Sequence, residues 1–324
     1  MLALAAPGSA GGTIGLCARL VAFATTCSTV SSAQPSLLLL IPAYNEENRI
    51  GPVLEEYTGY FGRTHAGRFQ MVVVLNGCRD DTLGVVRAAA ARHSFIHHLN
   101  FPAPIGKGGA LIEGLKLAPL ADLIGYVDAD GATPPAAFHD LVRCLEESDV
   151  ACAIASRWLP GAVVHHFQPE NRRFASRLFH LFVELFFQMG ILDTQCGAKV
   201  VRRQAVEAVH ERLTLADLAF DVNLLFSLRR AGFGIREIPT EWSDKSGSKV
   251  VFNLRTSLNM LLSLVRLRLI YSPFYRWLGP LRPLEAWLYR QLRAPQPIRL
   301  GGGSTPVSLS EDRKSDHPGT ERST

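Results

Sequence analysis

Asp128 and Asp130 stand two residues apart, directly after the apolar run at 123–127 and just before Gly131. Two carboxylates so spaced at a strand end can approach one divalent cation. Mg²⁺ or Mn²⁺ takes oxygen ligands and keeps water or substrate phosphate oxygens in the rest of its shell. A cation held there neutralises a diphosphate and stabilises it as a leaving group. Asp and Gly are also ordinary turn residues. The placement after an apolar strand favours the chemical reading over the turn.

Strands and helices alternate around that pair. Short apolar runs at 37–41, 71–75, 95–99, 123–127 and 150–155 read as strands. Helical stretches begin near Glu46 and cover about 80–92, 107–118 and 136–147. This alternation predicts βαβ units and a mainly parallel sheet with helices on both faces. Ligands of such sheets sit at the carboxyl ends of the strands. Those ends are followed here by Pro42-Ala43-Tyr44-Asn45-Glu46, by Asn76-Gly77 and by the paired aspartates.

The second half differs. Residues 174–192 form a broad apolar helix carrying one polar stripe, Arg173, Arg177, His180, Glu184 and Gln188. Residues 253–271 and 283–293 are apolar with interspersed arginines. The 324-residue chain has a net charge of +5, yet residues 229–299 hold 13 Lys/Arg and 4 Asp/Glu, a local +9. Apolar helices with basic fringes suit a membrane interface and anionic headgroups; packing on the sheet is the alternative. No run of about 18 uninterrupted apolar residues is present. Six scattered cysteines with no C-x-x-C pair argue against a zinc ribbon and a disulfide framework, and fit a reducing compartment. Residues 1–35 are expected to be a poorly ordered leader, and 294–324, rich in Gly, Ser and Pro, a disordered tail. Between them lie a catalytic domain at 36–252 and basic amphipathic interface helices at 253–293.

The segments LLLLIPAYNEENRI, VVVLNGCRDDT, GKGGALIEGL and YVDADGATPP resemble the family 2 glycosyltransferases. DTQCGAKVVRR, AFDVNLL and IREIPTEWSDKSGSKV resemble their dolichyl-phosphate β-glucosyltransferase and polyprenyl-phosphate branch, over about residues 36–255. The resemblance implies the GT-A fold, a Rossmann-like, mainly parallel sheet flanked by helices. It implies nucleotide-sugar contacts from Pro42, Ala43, Tyr44, Glu46, Asn76, Lys107, Asp128, Arg157, Gln195 and Gly197. It implies metal binding by Asp128 and Asp130, and catalytic positions for Asp221 and Asp130. Lys245, Ser248 and Lys249 match a flexible basic loop suited to a diphosphate or an acceptor phosphate. Arg172 and Arg173 precede the Phe-rich helix, where a lipid phosphate or headgroup would meet them. One departure stands out: the family's usual aspartate pair after the second strand is replaced by Leu75 and Asn76. An Asn carbonyl can still accept from a base N–H, but without charge. Cys196 reads as a packing or pocket residue, having no base partner near it in sequence.

The expected activity is an inverting, Mg²⁺- or Mn²⁺-dependent transfer of a hexose, glucose from UDP-glucose, to a polyprenyl or dolichyl phosphate. It would take place at the cytoplasmic face of a membrane to which the protein binds peripherally. GDP-mannose as donor and a soluble acceptor are the rivals. For Asp221 a base, a positioning and a structural role stay open: a sugar hydroxyl acceptor needs a base, whereas a lipid phosphate is already ionised near neutral pH. A sugar nucleotidyltransferase would carry a Gly-rich loop with Arg and Lys where PAYNEE stands. A nucleic-acid partner is not expected, since a binding module would leave the paired aspartates and the DTQCG loop without a purpose.

Overall fold

The computed structural model describes residues 34–65, 68–165, 170–243 and 254–273, with Pro280, Trp287 and Glu311–Asp312; at 170–175, 254–257 and Glu311–Asp312 it describes the backbone alone. The expected leader (apart from its last two residues), most of the 283–293 helix and tail, and Lys245, Ser248 and Lys249 lie outside the described residues.

The first strand, β1 (Leu37–Ala43), is at the centre. It pairs in parallel with β2 (Phe69–Asn76) on one side and β4 (Leu123–Tyr126) on the other. β3 (Ile96–Phe101) extends the sheet in parallel beyond β2, and the two residues Glu311–Asp312 pair with β3. Beyond β4, β7 (Lys199–Arg202) runs antiparallel between β4 and β5 (Cys152–Ser156), and β8 (Ile235–Pro239) lies parallel to β5. A separate parallel pair joins β6 (Val163–His165) to β9 (Glu241–Ser243).

Eight described helices cover the sheet. Alternate residues of β1 explain its uninterrupted apolar character. Leu37, Leu39 and Ile41 face α1 (Ile50–Thr64), α2 (Thr82–Arg92) and α4 (Pro135–Glu146). Leu38 and Leu40 face α3 (Gly106–Leu115), α6 (Arg203–Val209), α7 (Phe220–Arg230) and buried residues of α5 (Glu170–Phe187) and α8 (Leu254–Ile270). Both faces are dry, so every position of the strand is apolar. The fold is the expected GT-A-like α/β arrangement.

The Phe-rich helix is displaced from the sequence expectation at both ends: it begins at Glu170, so Arg172 and Arg173 lie within it rather than before it. The Phe-rich helix ends at Phe187, not Leu192, because Gln188 (φ 47°) and Gly190 (φ 62°) turn left-handed. The chain then returns to the sheet through 191–198. Because β7 is antiparallel, its first residue, Lys199, lies opposite Tyr126 at the carboxyl end of β4. The loop before β7 therefore arrives at the same edge as the ends of β1, β2, β4 and β5.

Candidate active site

Two loops are cross-braced at this edge. The turn after β1 holds Asn45 at φ 56°, and its Oδ1 accepts from the Arg79 N–H (2.7 Å). The Glu46 N–H donates to Thr82 Oγ1 (2.8 Å) and the Asp81 N–H to Glu47 Oε2 (2.9 Å). These bonds tie the start of α1 to the start of α2. They leave Tyr44 exposed on the rim while Ala43 and Glu46 are buried. Arg49 forks onto Glu46 at 2.6 and 2.7 Å, which raises the guanidinium above its ordinary range, with Asp130 and Asp128 adding to the effect.

Asp128 and Asp130 follow β4 at the mouth of the same edge. Lys107 Nζ lies 2.6 Å from Asp128 Oδ1. Burial alone would lower the Lys107 ammonium, but Asp128, Asp221 and Asp130 outweigh it and hold its pKa well above the usual lysine value. Asp130 goes the other way: burial, then the charge of Asp128, raises its carboxyl above the ordinary range, against the Ala132 N–H bond at 3.0 Å. Close packing puts Lys107 there. A Cβ on Gly108 would sit 2.5 Å from the Leu215 carbonyl oxygen and 2.7 Å from that of Asp217, so glycine alone lets α3 come this close to the loop leading into α7. A Cβ on Gly197 would overlap the Asp128 carboxylate. The DTQCG loop thus covers the first acid of the pair.

Two carboxylates two residues apart at the carboxyl edge of the sheet offer the oxygen ligands that a hard divalent cation takes, and the Lys107 ammonium already stands on one of them. Among the described residues no group of three or more His, Cys, Asp or Glu could hold a metal. Asp128 and Asp130 would therefore contribute two ligands, with water and substrate oxygens completing the shell.

Asp221 is deep inside, at 2% exposure. Its Oδ1 receives the Lys199 ammonium at 2.5 Å and the Tyr126 hydroxyl at 2.6 Å. Lys199 is fully buried and also donates to the Cys196 carbonyl at 2.6 Å. Burial would raise the Asp221 carboxyl, but Lys199 and Lys107 overcome that and hold it below the ordinary carboxylate range. A carboxylate so paired is a weak proton acceptor, which speaks against the base and leaves the positioning and structural roles.

The remaining residues expected at the site are engaged within the chain. The Asn76 Oδ1 accepts from the Ile105 N–H (2.7 Å) and the Gly106 N–H (3.1 Å). Both lone pairs of that carbonyl are used in setting the start of α3, so it has no acceptor left for a base N–H. Arg157 forks onto buried Asp193 at 2.7 and 2.9 Å and lies 5.2 Å over the Trp242 ring. Asp193 is held in turn by Glu237, which accepts its N–H at 3.0 Å. Gln195 Nε2 is buried without a hydrogen-bond partner, on the same loop as Gly197. Cys196 is fully buried, and burial pushes its thiol up to about 11, which suits a packing residue rather than a nucleophile. The backbone of Arg172 lies in α5, and its side chain lies outside the described atoms.

Residues 39–209 match the family described as Glycosyl transferase family 2. This chain belongs to glycosyltransferase family 2. The transferase is 31% identical over 241 residues to a dolichyl-phosphate beta-glucosyltransferase of Trichomonas vaginalis, covering 72% of this chain and 70% of that protein. It is 29% identical over 245 residues to the dolichyl-phosphate beta-glucosyltransferase of Homo sapiens, covering 70% and 73%. Its 30% identity to Glycosyltransferase AglD of Haloferax volcanii covers 69% of this chain but only 35% of that longer protein. Among solved structures, it superposes with a TM-score of 0.54 on glucosyl-3-phosphoglycerate synthase from Mycobacterium tuberculosis, crystallised with Mn²⁺, uridine-diphosphate and glucosyl-3-phosphoglycerate. That match has 19% identity and covers 72% of this chain and 80% of the other, a likeness of fold.

Sequence reading missed Arg49, Tyr126 and Lys199. Arg49 follows Glu46 by three residues, the spacing of an ion pair on one helical turn. Lys199 is a charge inside an apolar strand, which requires a buried partner. Tyr126 carries no comparable signal.

Proposed function

We propose that this transferase moves glucose from UDP-glucose to a dolichyl or other polyprenyl phosphate, with inversion, as a peripheral protein at the cytoplasmic face of a membrane. The observation that carries the proposal is the placement of Asp128 and Asp130 after β4 at the carboxyl edge of the sheet, with Lys107 2.6 Å from Asp128; burial, then the charge of Asp128, raises the half-buried Asp130 carboxyl there. The acceptor class is supported by the relatives named dolichyl-phosphate beta-glucosyltransferase.

Asp128 and Asp130 would hold Mg²⁺ or Mn²⁺, which would supply positive charge to a departing diphosphate. Lys107 sets an ammonium at the same mouth, where phosphate oxygens arrive. Tyr44 on the rim and the rest of the Pro42–Glu46 turn, in which Ala43 and Glu46 are buried, provide the nucleotide surface. Gln195, with an unpartnered amide and on the loop that covers Asp128, is suited to a sugar hydroxyl. A lipid phosphate has its second pKa near ~6, so the nucleophile is ionised near neutral pH. Proton removal is then not required, which agrees with an Asp221 locked by Lys199. Its part is to fix the electrostatics at the start of α7, beside Lys107.

The test is transfer of label from UDP-glucose to a short polyprenyl phosphate, measured in the organic phase. GDP-mannose serves as the second donor. Transfer from UDP-glucose, abolished by chelator and by Asp130→Ala, is expected. Full transfer in excess EDTA would remove the metal role, and preference for GDP-mannose would replace the donor.

A further inference from the structure

Away from the transfer site, the C-terminal parts of α5, α7 and α8 enclose a cavity of about 420 Å³. Its floor is aromatic: Phe187 packs on Phe226 at 4.7 Å between ring centres, and Phe226 on Tyr271 at 4.9 Å. Its polar lining includes Arg229, Arg230 and Arg268, all exposed, and no acidic residue. Among the described residues no carboxylate is recorded in an ion pair with any of the three. The nearby Glu184 carboxylate is occupied by the Gly190 N–H at 3.0 Å. Arg230 lies nine residues beyond Asp221 on α7 (230 − 221), about 13 Å at the helical rise, so the pocket is separate from the transfer site.

Beside it, α5 exposes Leu178, Leu181 and Leu185, the last two at 60% and 65%, with helical spacing of three and four. α8, packed on α5, exposes Leu258, Val265 and Leu269. Large apolar side chains along two adjacent helices exceed the isolated exposed residue of an ordinary surface. They adjoin three guanidinium groups that form no ion pair with a carboxylate among the described residues.

We propose that this pocket seats the phosphate headgroup of an anionic bilayer lipid while the leucines of α5 and α8 enter the apolar layer. The proposal rests on the membrane-surface part of the reading above and gives it an address. Guanidinium groups match phosphate oxygens in fork geometry, and the leucines match the acyl boundary.

The experiment is co-sedimentation of the full chain with phosphatidylcholine vesicles, with and without phosphatidylglycerol. Two variants are compared, R229Q/R230Q/R268Q and L181S/L185S. Preferential binding to the anionic vesicles is expected. The arginine variant should lose affinity on the order of 100-fold, from about three headgroup contacts, and the leucine variant should also weaken. Both should retain transfer to a short, water-soluble polyprenyl phosphate, which shows that they are folded and separates this idea from the proposed activity. Unchanged sedimentation of the active arginine variant overturns the pocket. Equal binding to neutral vesicles overturns the headgroup. No binding to either vesicle, with millimolar inorganic phosphate raising the melting temperature of the native chain but not of the arginine variant, assigns the pocket to a soluble phosphate and also overturns it. Should the triple variant be inactive, Arg268→Gln alone, an exposed single change, decides by the same readout.

Discussion

The ammonium of Lys107 lies 2.6 Å from Asp128 Oδ1, on the carboxylate proposed to hold the metal. One acid of the pair therefore has an internal cation, while Asp130 is left raised by burial and by its neighbour. Lys107 and a metal ion compete for the same oxygen. Lys107→Met should tighten Mn²⁺ binding in the absence of nucleotide, read by the loss of free-ion EPR signal. It should lower transfer roughly 10- to 100-fold, the loss of one charge-assisted bond of about 1.5–3 kcal/mol. The two readouts move in opposite directions. If both fall together, Lys107 is not a stand-in for the ion.

Asp221→Asn strands the Lys199 ammonium, which is fully buried. Removing one member of a buried pair costs about 3–5 kcal/mol, so urea unfolding should shift by that order. Tyr126→Phe, which removes only the hydroxyl bond to the carboxylate, should cost about 1.5–3 kcal/mol. Asp221→Asn/Lys199→Met should recover part of the loss, since no unpaired charge remains. With a lipid phosphate acceptor, the acidic limb of the pH–rate profile should stay in place in Asp221→Asn. Its disappearance would make Asp221 the base after all.

The GT-A-like sheet was legible because its strands are continuous apolar runs that stop at turn residues, and both acids of the pair stand at one such stop. The site's wiring was less legible. Asn76 reads as a base contact, yet its carbonyl sets the start of α3; nothing local in sequence links residue 76 to residues 105 and 106. Lys199 is separated from Asp221 by 22 positions and meets it only because β7 runs antiparallel. The end of α5 was misplaced because residues 188–192 continue the apolar pattern while the backbone of Gln188 turns left-handed.

Gly197 carries a separate prediction. In Gly197→Ala the new methyl meets the end of the Asp128 side chain. A carboxylate can swing aside, so stability should change by less than about 1 kcal/mol. The swing misplaces a metal ligand, and a displacement of that kind costs transfer roughly 100-fold. Equilibrium unfolding together with transfer rate checks it. A variant that is fully active would show that the approach of the DTQCG loop to Asp128 does not matter to the reaction.

The sheet face away from α7 carries a pH dependence of its own. His65 and His139 stack edge to face at 5.7 Å among Phe61 and Phe138. Burial, then the neighbouring His139, lowers the His65 ring pKa; burial, then Arg143, lowers that of His139. His65 Nε2 is buried and 3.8 Å from Glu146 Oε1, beyond hydrogen-bond reach. With folded values below the unfolded value of about 6.5, the unfolded chain takes up these protons first. The stability held above that value is lost as pH falls toward the folded values. The urea midpoint should therefore drop between about pH 7.5 and about pH 5.5, and the slope should flatten in His65→Gln/His139→Gln. An equal slope in the double variant would place the acid sensitivity on other groups.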